Sequence, residues 1–174
     1  MTGEDKFDIS PDWLDGETKV LEAPHDHRAE LRLWLRLLTC STLVESEVRR
    51  RLREEFDSTL PRFDLMAQLE RAPDGMVLGE VSKRMMVSPG NITVLVERLT
   101  ESGHISRTTL ATDRRVQVIA LTAFGRAEFE KMAAHHADWI SDLFAGLAPT
   151  DSGVLMDELA KLKRSIIASL GKGA

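Results

Sequence analysis

Ser88-Pro-Gly-Asn-Ile-Thr-Val-Leu-Val-Glu-Arg-Leu-Thr-Glu-Ser-Gly103 is the stretch from which the rest of the chain can be read. Ser88 before Pro89 is a helix-start pair: a hydroxyl accepts from a free first-turn amide, and proline's fixed φ and missing N–H cost nothing at the first helical position. Ile92, Leu95, Val96 and Leu99 recur at helical spacing and form one apolar stripe. Gly103 is the residue type that closes a helix in the left-handed conformation. The face opposite the stripe carries Gly90, Asn91, Thr93, Val94, Glu97 and Arg98, so this helix buries one edge and offers the other to a partner.

Just upstream, Ala72-Pro-Asp-Gly75 is a turn, and Val77 to Met86 is a short helix with Leu78, Val81 and Met85 inward. Before that, Asp57-Ser-Thr-Leu-Pro61 supplies capping hydroxyls and an early proline for a helix from Arg62 to Glu70, with Phe63, Met66 and Leu69 as its buried edge. Downstream the period changes. His104 to Leu110 and Val116 to Leu121 are rich in β-branched residues and flank Ala111-Thr-Asp-Arg-Arg115, a hairpin with a charged tip. Thr122 then caps a long helix reaching Phe144, Ala148-Pro-Thr-Asp151 breaks it, and Val154 to Leu170 is a last amphipathic helix carrying Leu155, Leu159, Leu162 and Ile166 along one side.

At the other end, Asp26 to Phe56 has neither Pro nor Gly, which predicts a helix on the order of 45 Å long. Leu31, Trp34, Leu35, Leu38, Val48, Leu52 and Phe56 form one stripe, and Leu33, Leu37, Cys40 and Val44 a second. That apolar surface is wider than one packing face needs, so two different partners are expected on it. The expected fold is mainly α with a small β wing: a winged helix-turn-helix at 58–121, flanked by N- and C-terminal dimerisation helices at 25–57 and 122–174, after an acidic arm at 1–24.

The chain's 174 residues suit one compact domain with helical extensions, and 43% hydrophobic with 29% charged residues is a globular composition. No apolar run approaches membrane-spanning length and the first residues lack a signal-peptide pattern, so a cytoplasmic location without membrane contact is expected. One cysteine excludes an intrachain disulfide framework. The net charge of −5 is unevenly spread: residues 1–57 carry 9 basic and 14 acidic side chains, residues 58–125 carry 8 and 7, and residues 126–174 carry 6 and 7. Nucleic-acid binding must therefore rest on local placement of cations, not on the overall charge.

Two short helices joined by a tight turn, followed at once by an arginine-tipped hairpin, have a physical use. A helix fits the DNA major groove, and an arginine on a hairpin tip reaches the minor groove, where the potential is most negative. Ser88, Pro89, Gly90 and Asn91 stand at the helix's amino end, where phosphate is favoured, and Ser88 and Asn91 can donate to phosphate or to base edges. Thr93, Val94 and Arg98 continue that face, although Arg98 can equally pair with a carboxylate of its own chain.

At these residues the sequence resembles the MarR family of bacterial transcription regulators, from about residue 28 to 170. The resemblance lies in the quoted helix, ending in Val96-Glu-Arg-Leu99 and Gly103, followed by Asp113-Arg-Arg115 and Leu121-Thr122 with Gly125. It implies that Asp113 pairs with Arg115 and aims it into the minor groove, with Arg114 as a second wing cation. Where many members carry a basic or polar residue in mid recognition helix, this chain has Val94, a departure that bears on the target sequence. The resemblance further implies a homodimer on a palindromic double-stranded DNA operator, most often a repressor, released by a small aromatic or anionic ligand.

For such a ligand the residues on offer are Trp34, Arg36, Cys40, Arg62, Phe63 and Met66, aromatic surface plus guanidinium for a carboxylate or phosphate. The stretch Thr59 to Leu69 resembles a branch of the family that senses aromatic acyl-CoA thioesters, which would give Arg49, Arg50, Arg51 or Arg53 a role at the CoA phosphates. Simpler readings compete: core packing for Trp34, Phe63 and Met66, a buried inert thiol for Cys40, and for Arg49 to Arg51 a solvated face interleaved with glutamates. His25, His27, His135 and His136 lack a third ligand, so no metal or cofactor is expected. No phosphate loop, nucleophile elbow or zinc-protease pair is present, which argues against an enzyme. A winged helix can instead serve as a protein-interaction module without specific DNA binding; the two readings part on salt dependence, which is steep only where phosphates are neutralised.

Overall fold

The computed structural model describes residues 29–110 and 113–171; the acidic arm expected at 1–24 lies outside the described residues. In order, the elements are α1 (Ala29–Phe56), α2 (Leu60–Glu70), β1 (Met76–Val77), α3 (Leu78–Met85), α4 (Pro89–Glu101), β2 (Ile105–Leu110), β3 (Asp113–Leu121), α5 (Ala123–Leu143) and α6 (Pro149–Leu170). The described residues form two compact units, one ending at Ala133 and the other beginning at Ala134. This is the mainly helical architecture with a small wing that the sequence predicts.

Each boundary has a local cause. Helix α1 ends because Asp57 turns left-handed at φ 46°, with Asp57 N donating to Arg53 O at 3.2 Å and Ser58 N to Leu52 O at 3.0 Å, the paired bonds that satisfy terminal carbonyls. Helix α2 begins at Leu60, two residues before the start read from the sequence, with Thr59 as its N-cap but no side-chain bond capping it; Pro61 in the first turn removes one of the amides that would need a partner. Helix α4 is capped as predicted, the Asn91 amide donating to Ser88 Oγ at 3.4 Å, and Gly103 follows it at φ 76°. In α6 the helix begins at Pro149, so the segment read as a break is its first turn.

The sheet has the order β1-β3-β2, antiparallel throughout, with Ile105 opposite Leu121 and Thr108 opposite Val118. Strand β1 was not foreseen. The two residues Met76 and Val77 pair with Ile119 and Val118, and Gly75 makes the entry possible: at φ 88°, a Cβ there would lie 2.6 Å from Val118 Cγ1 and 2.9 Å from Ile119 O.

The core of the first unit lies where α2, α3 and α4 meet the sheet. Leu65, Leu69, Val81, Ile92, Val96, Leu99 and Ile119 are fully buried, joined by Leu52 from the end of α1. At about 1.5–3 kcal/mol per large apolar side chain, this cluster is the main stabilisation of the unit. Elsewhere the first unit exposes Leu31, Leu33, Trp34 and Leu38 along the start of α1. In the second unit α6 has no buried residue and exposes Val154, Leu155, Leu159, Ile166, Ile167 and Leu170.

A clamp joins α5 to the start of β2. Thr122 donates twice to the His104 carbonyl, from its amide at 3.0 Å and from Oγ1 at 3.2 Å, and Oγ1 also reaches the Gly103 carbonyl at 2.7 Å while accepting from the Gly125 amide at 2.9 Å. The packing is close enough that a Cβ on Gly125 would stand 1.9 Å from the His104 oxygen. Gly125→Ala is therefore expected to destabilise the protein by about 1–3 kcal/mol or more, as overpacking against unyielding backbone does. Gly79→Ala, whose added methyl meets nothing within 4 Å, should stay within about 0.5 kcal/mol of the parent; urea denaturation of the two variants checks both.

Candidate functional site

The polar face of α4 is open along its length. Ser88, Gly90, Asn91, Val94, Glu97 and Arg98 are exposed, Thr93 is half-buried, and Ile92, Val96 and Leu99 anchor the opposite edge at no exposure. Pro89 opens the helix by its backbone, and its side chain lies outside the described ones. Arg98 is exposed and has no ion pair among the described residues. At the end of α3, Lys83 is exposed and Arg84 pairs with Glu80 at 2.6 Å.

The wing stands beside this helix, with α4 in contact with β2. Its ladder reaches Leu110 opposite Asp113, with a register irregularity between Thr109 and Leu110, so β3 starts nearer the tip than the sequence pattern indicates. The expected pairing of Asp113 with Arg115, and the placement of Arg114, fall on side chains outside those described. A cation absent from the sequence reading stands lower on the wing: Arg107 of β2 is half-buried, and its Nε is buried without a hydrogen-bond partner among the described residues.

A cavity of about 260 Å³ opens in the first unit, lined by Phe56, Asp57 and Ser58 at the end of α1, Arg62 and Met66 of α2, His104 before β2, and Phe124, Glu128 and Met132 of α5. Its walls combine aromatic and thioether surface with one guanidinium whose Nε is buried and unpartnered among the described residues. The His104 ring lies 4.9 Å from that of Phe124, tilted by 58°, and its Nδ1 is 2.9 Å from Ser102 Oγ. Burial, together with the positive charge of Arg62, holds the His104 imidazole below its ordinary pKa, against a smaller opposing pull from Glu128. A neutral imidazole and a poorly solvated guanidinium make the cavity favourable to a planar anion.

Of the residues named for ligand contact, Arg62 and Met66 line this cavity. Phe63 packs into the core with its ring 5.5 Å from that of Phe129. Trp34 and Arg36 lie exposed on α1, Arg36 lining a shallow cleft with Ala29, Arg32 and Leu33. Cys40 is exposed, as is Leu33 of the same stripe, which corrects the expectation of a buried thiol; Leu37 and Val44 are half-buried. Arg49, Arg50 and Arg51 are held by Glu45, Glu47 and Glu54 one turn away on the same helix, as the solvated-face reading has it. Hydrogen bonds from Arg50 and then Arg51 hold the Glu47 carboxyl down to about 2, against burial that would raise it. Phe56, His104, Phe124, Glu128 and Met132 were not singled out from sequence, because they come from three segments that only the fold brings together.

A profile described as MarR family matches residues 56–116, from the end of α1 into the first residues of β3. A MarR family transcriptional regulator from Silicibacter pomeroyi is 30% identical in sequence, with a TM-score of 0.66 over 81% of this chain and 94% of its own. FabT of Streptococcus pneumoniae, solved in complex with DNA, superposes with a TM-score of 0.68 at 23% identity, covering 80% of this chain and 98% of its own. The transcriptional activatory protein BadR of Rhodopseudomonas palustris is 26% identical over 158 residues, 86% of this chain and 90% of its own.

The lowered pKa of His104 carries a pH signature. The folded state binds this proton less readily than the unfolded chain, so stability should fall as pH drops below about 6.5. The Glu47 carboxyl, also held below its ordinary pKa, acts in the same direction in a separate window: its contribution is present above about 4.5 and lost towards 2. Urea denaturation of the parent and His104→Gln between pH 7.5 and 5.5 is expected to show a shallower decline in the variant; parallel curves would mean that His104 is free to charge in the fold.

Proposed function

The chain belongs to the MarR family of transcriptional regulators, and on that premise we propose that it binds a palindromic double-stranded DNA operator as a homodimer and is released by a small aromatic acid or aromatic acyl-CoA effector. The observation that carries the reading is the Ser88-capped helix α4, buried along one edge and open along the other, with a hairpin wing at its side. Ser88, Gly90, Asn91, Thr93 and Val94 would face the major groove, with Arg98 towards phosphate. Arg114 and Arg115 would reach the minor groove, Arg115 aimed by Asp113. FabT, which shares this fold, was solved on DNA.

Dimerisation is supported by the apolar residues that each unit leaves in water: Leu31, Trp34 and Leu38 in one, Leu155, Leu159 and Ile166 in the other. Cys40 would lie within or beside that interface. On this reading residues 25–57 and 122–174 are the dimerisation region and 58–121 the DNA-binding domain, working in the cytoplasm. The sign of control proposed is repression, by occupation of a promoter; BadR carries the name of an activatory protein, so sign is a property to be measured on a reporter.

Size sets the effector's mode. About 260 Å³ is slightly below the usual range for drug-sized ligands, so the cavity admits a single aromatic ring with its carboxylate or thioester carbonyl, and the bulk of a CoA thioester would remain outside. Arg62 is the anion's partner, with Phe124 and Met66 against the ring.

A titration against duplex from the upstream intergenic region, at two salt concentrations, tests DNA binding. Arg115→Ala should weaken binding by about 1–3 kcal/mol and flatten the salt slope by about one, whereas Asn91→Ala should also relax sequence preference. Salt-insensitive binding would favour the protein-interaction reading instead. Benzoate and benzoyl-CoA should release the duplex from the parent and fail to do so from Arg62→Gln at the same concentration; equal release from both would remove the cavity from the mechanism.

A further inference from the structure

Val94 stands mid-way along the open face of α4, one turn beyond Gly90 and Asn91 and one turn before Glu97 and Arg98, all of them exposed. It is itself 49% exposed, while Ile92, Val96 and Leu99 on the other edge have no exposure. Packing within the chain therefore does not require an apolar side chain there. Helix propensity does not account for it either, since an exposed interior position favours unbranched residues over valine. What valine supplies is a compact pair of methyl groups that can neither donate nor accept a hydrogen bond.

In the major groove, base-pair edges present donors and acceptors, with one apolar group among them, the C5-methyl of thymine. We propose that Val94 is a specificity-determining residue that reads a thymine methyl in each half-site of the operator. The inference rests on the DNA-binding reading above and adds to it the identity of a base and the chemical group recognised. The contact gives no phosphate neutralisation, so it contributes selection among sequences and leaves the salt-dependent part of the affinity to Arg98 and the wing.

The test uses the full chain and duplexes enriched from a randomised library at low salt. Each thymine of the enriched duplex is replaced in turn by deoxyuridine, which removes only the methyl group. For the parent, one thymine per half-site should be sensitive, its replacement weakening binding about fourfold, the worth of one buried methyl. Val94→Ala, which removes the side-chain methyls in contact from an exposed site and keeps the helix, should bind the parental duplex and its deoxyuridine counterpart equally, with an unchanged salt slope. If duplexes are enriched but no thymine is sensitive, or the sensitivity persists in Val94→Ala, the inference is overturned and DNA binding stands. If no duplex is enriched over random sequence, the DNA-binding reading itself falls, and the inference with it.

Discussion

The His104 carbonyl is the point on which the first unit is assembled. It lies just after the glycine that ends α4, receives both the amide and the hydroxyl of Thr122, and sits where Gly125 has no side chain. Three features of the chain are thereby tied to one atom: the end of α4, the first residue of the wing stalk, and the first turn of α5. Any larger residue at position 125 would push α5 off the wing base. Since Phe124, Glu128 and Met132 follow from that same turn, the clamp also decides which side of α5 lines the cavity.

Stability and function divide along the two edges of α4. Its buried edge contributes Ile92, Val96 and Leu99 to the main core, and that burial leaves the helix free to be almost anything on the other edge. The open edge accordingly carries Gly90, Asn91, Val94, Glu97 and Arg98, all exposed. Charge follows the same division. Helix α1 pairs Arg49, Arg50 and Arg51 with its own glutamates, so these three serve the helix locally. Near α4 and the wing, Arg98 and Arg107 lack ion pairs among the described residues, in contrast to the paired arginines of α1.

Local signals were legible from sequence because their causes are local. The Ser88-Pro89 start, the Gly103 stop and the Thr122 cap each depend on neighbours within four residues, and the stripe of Ile92, Val96 and Leu99 on a period. Strand β1 escaped because two residues carry no period, and Met76 and Val77 become a strand only through Val118 and Ile119 some forty positions away. The cavity escaped for the same reason at larger scale: its lining is drawn from residues 56 to 132, and only Arg62 and Met66 stood on a helix already suspected. For Trp34 and Cys40 the period was read correctly but not its partner, since apolar spacing marks a surface to be covered and is silent on whether the same chain covers it.

The cavity's composition constrains how an effector could act. Its walls come from the end of α1, from α2, from the wing base and from α5, so a ligand inside touches the elements that set where the wing and α4 stand relative to α1. Occupancy alone shifts nothing; a ligand moves the equilibrium only as far as it prefers one arrangement over the other. An anion has a ready source of preference, because the Arg62 Nε is buried without a hydrogen-bond partner among the described residues, and burial with the Arg62 charge holds the His104 imidazole below its ordinary pKa. The arrangement that brings an anion closest to both groups recovers the most desolvation cost, and that difference is the free energy available for coupling. By linkage, DNA that favours the other arrangement must weaken the effector by the same factor.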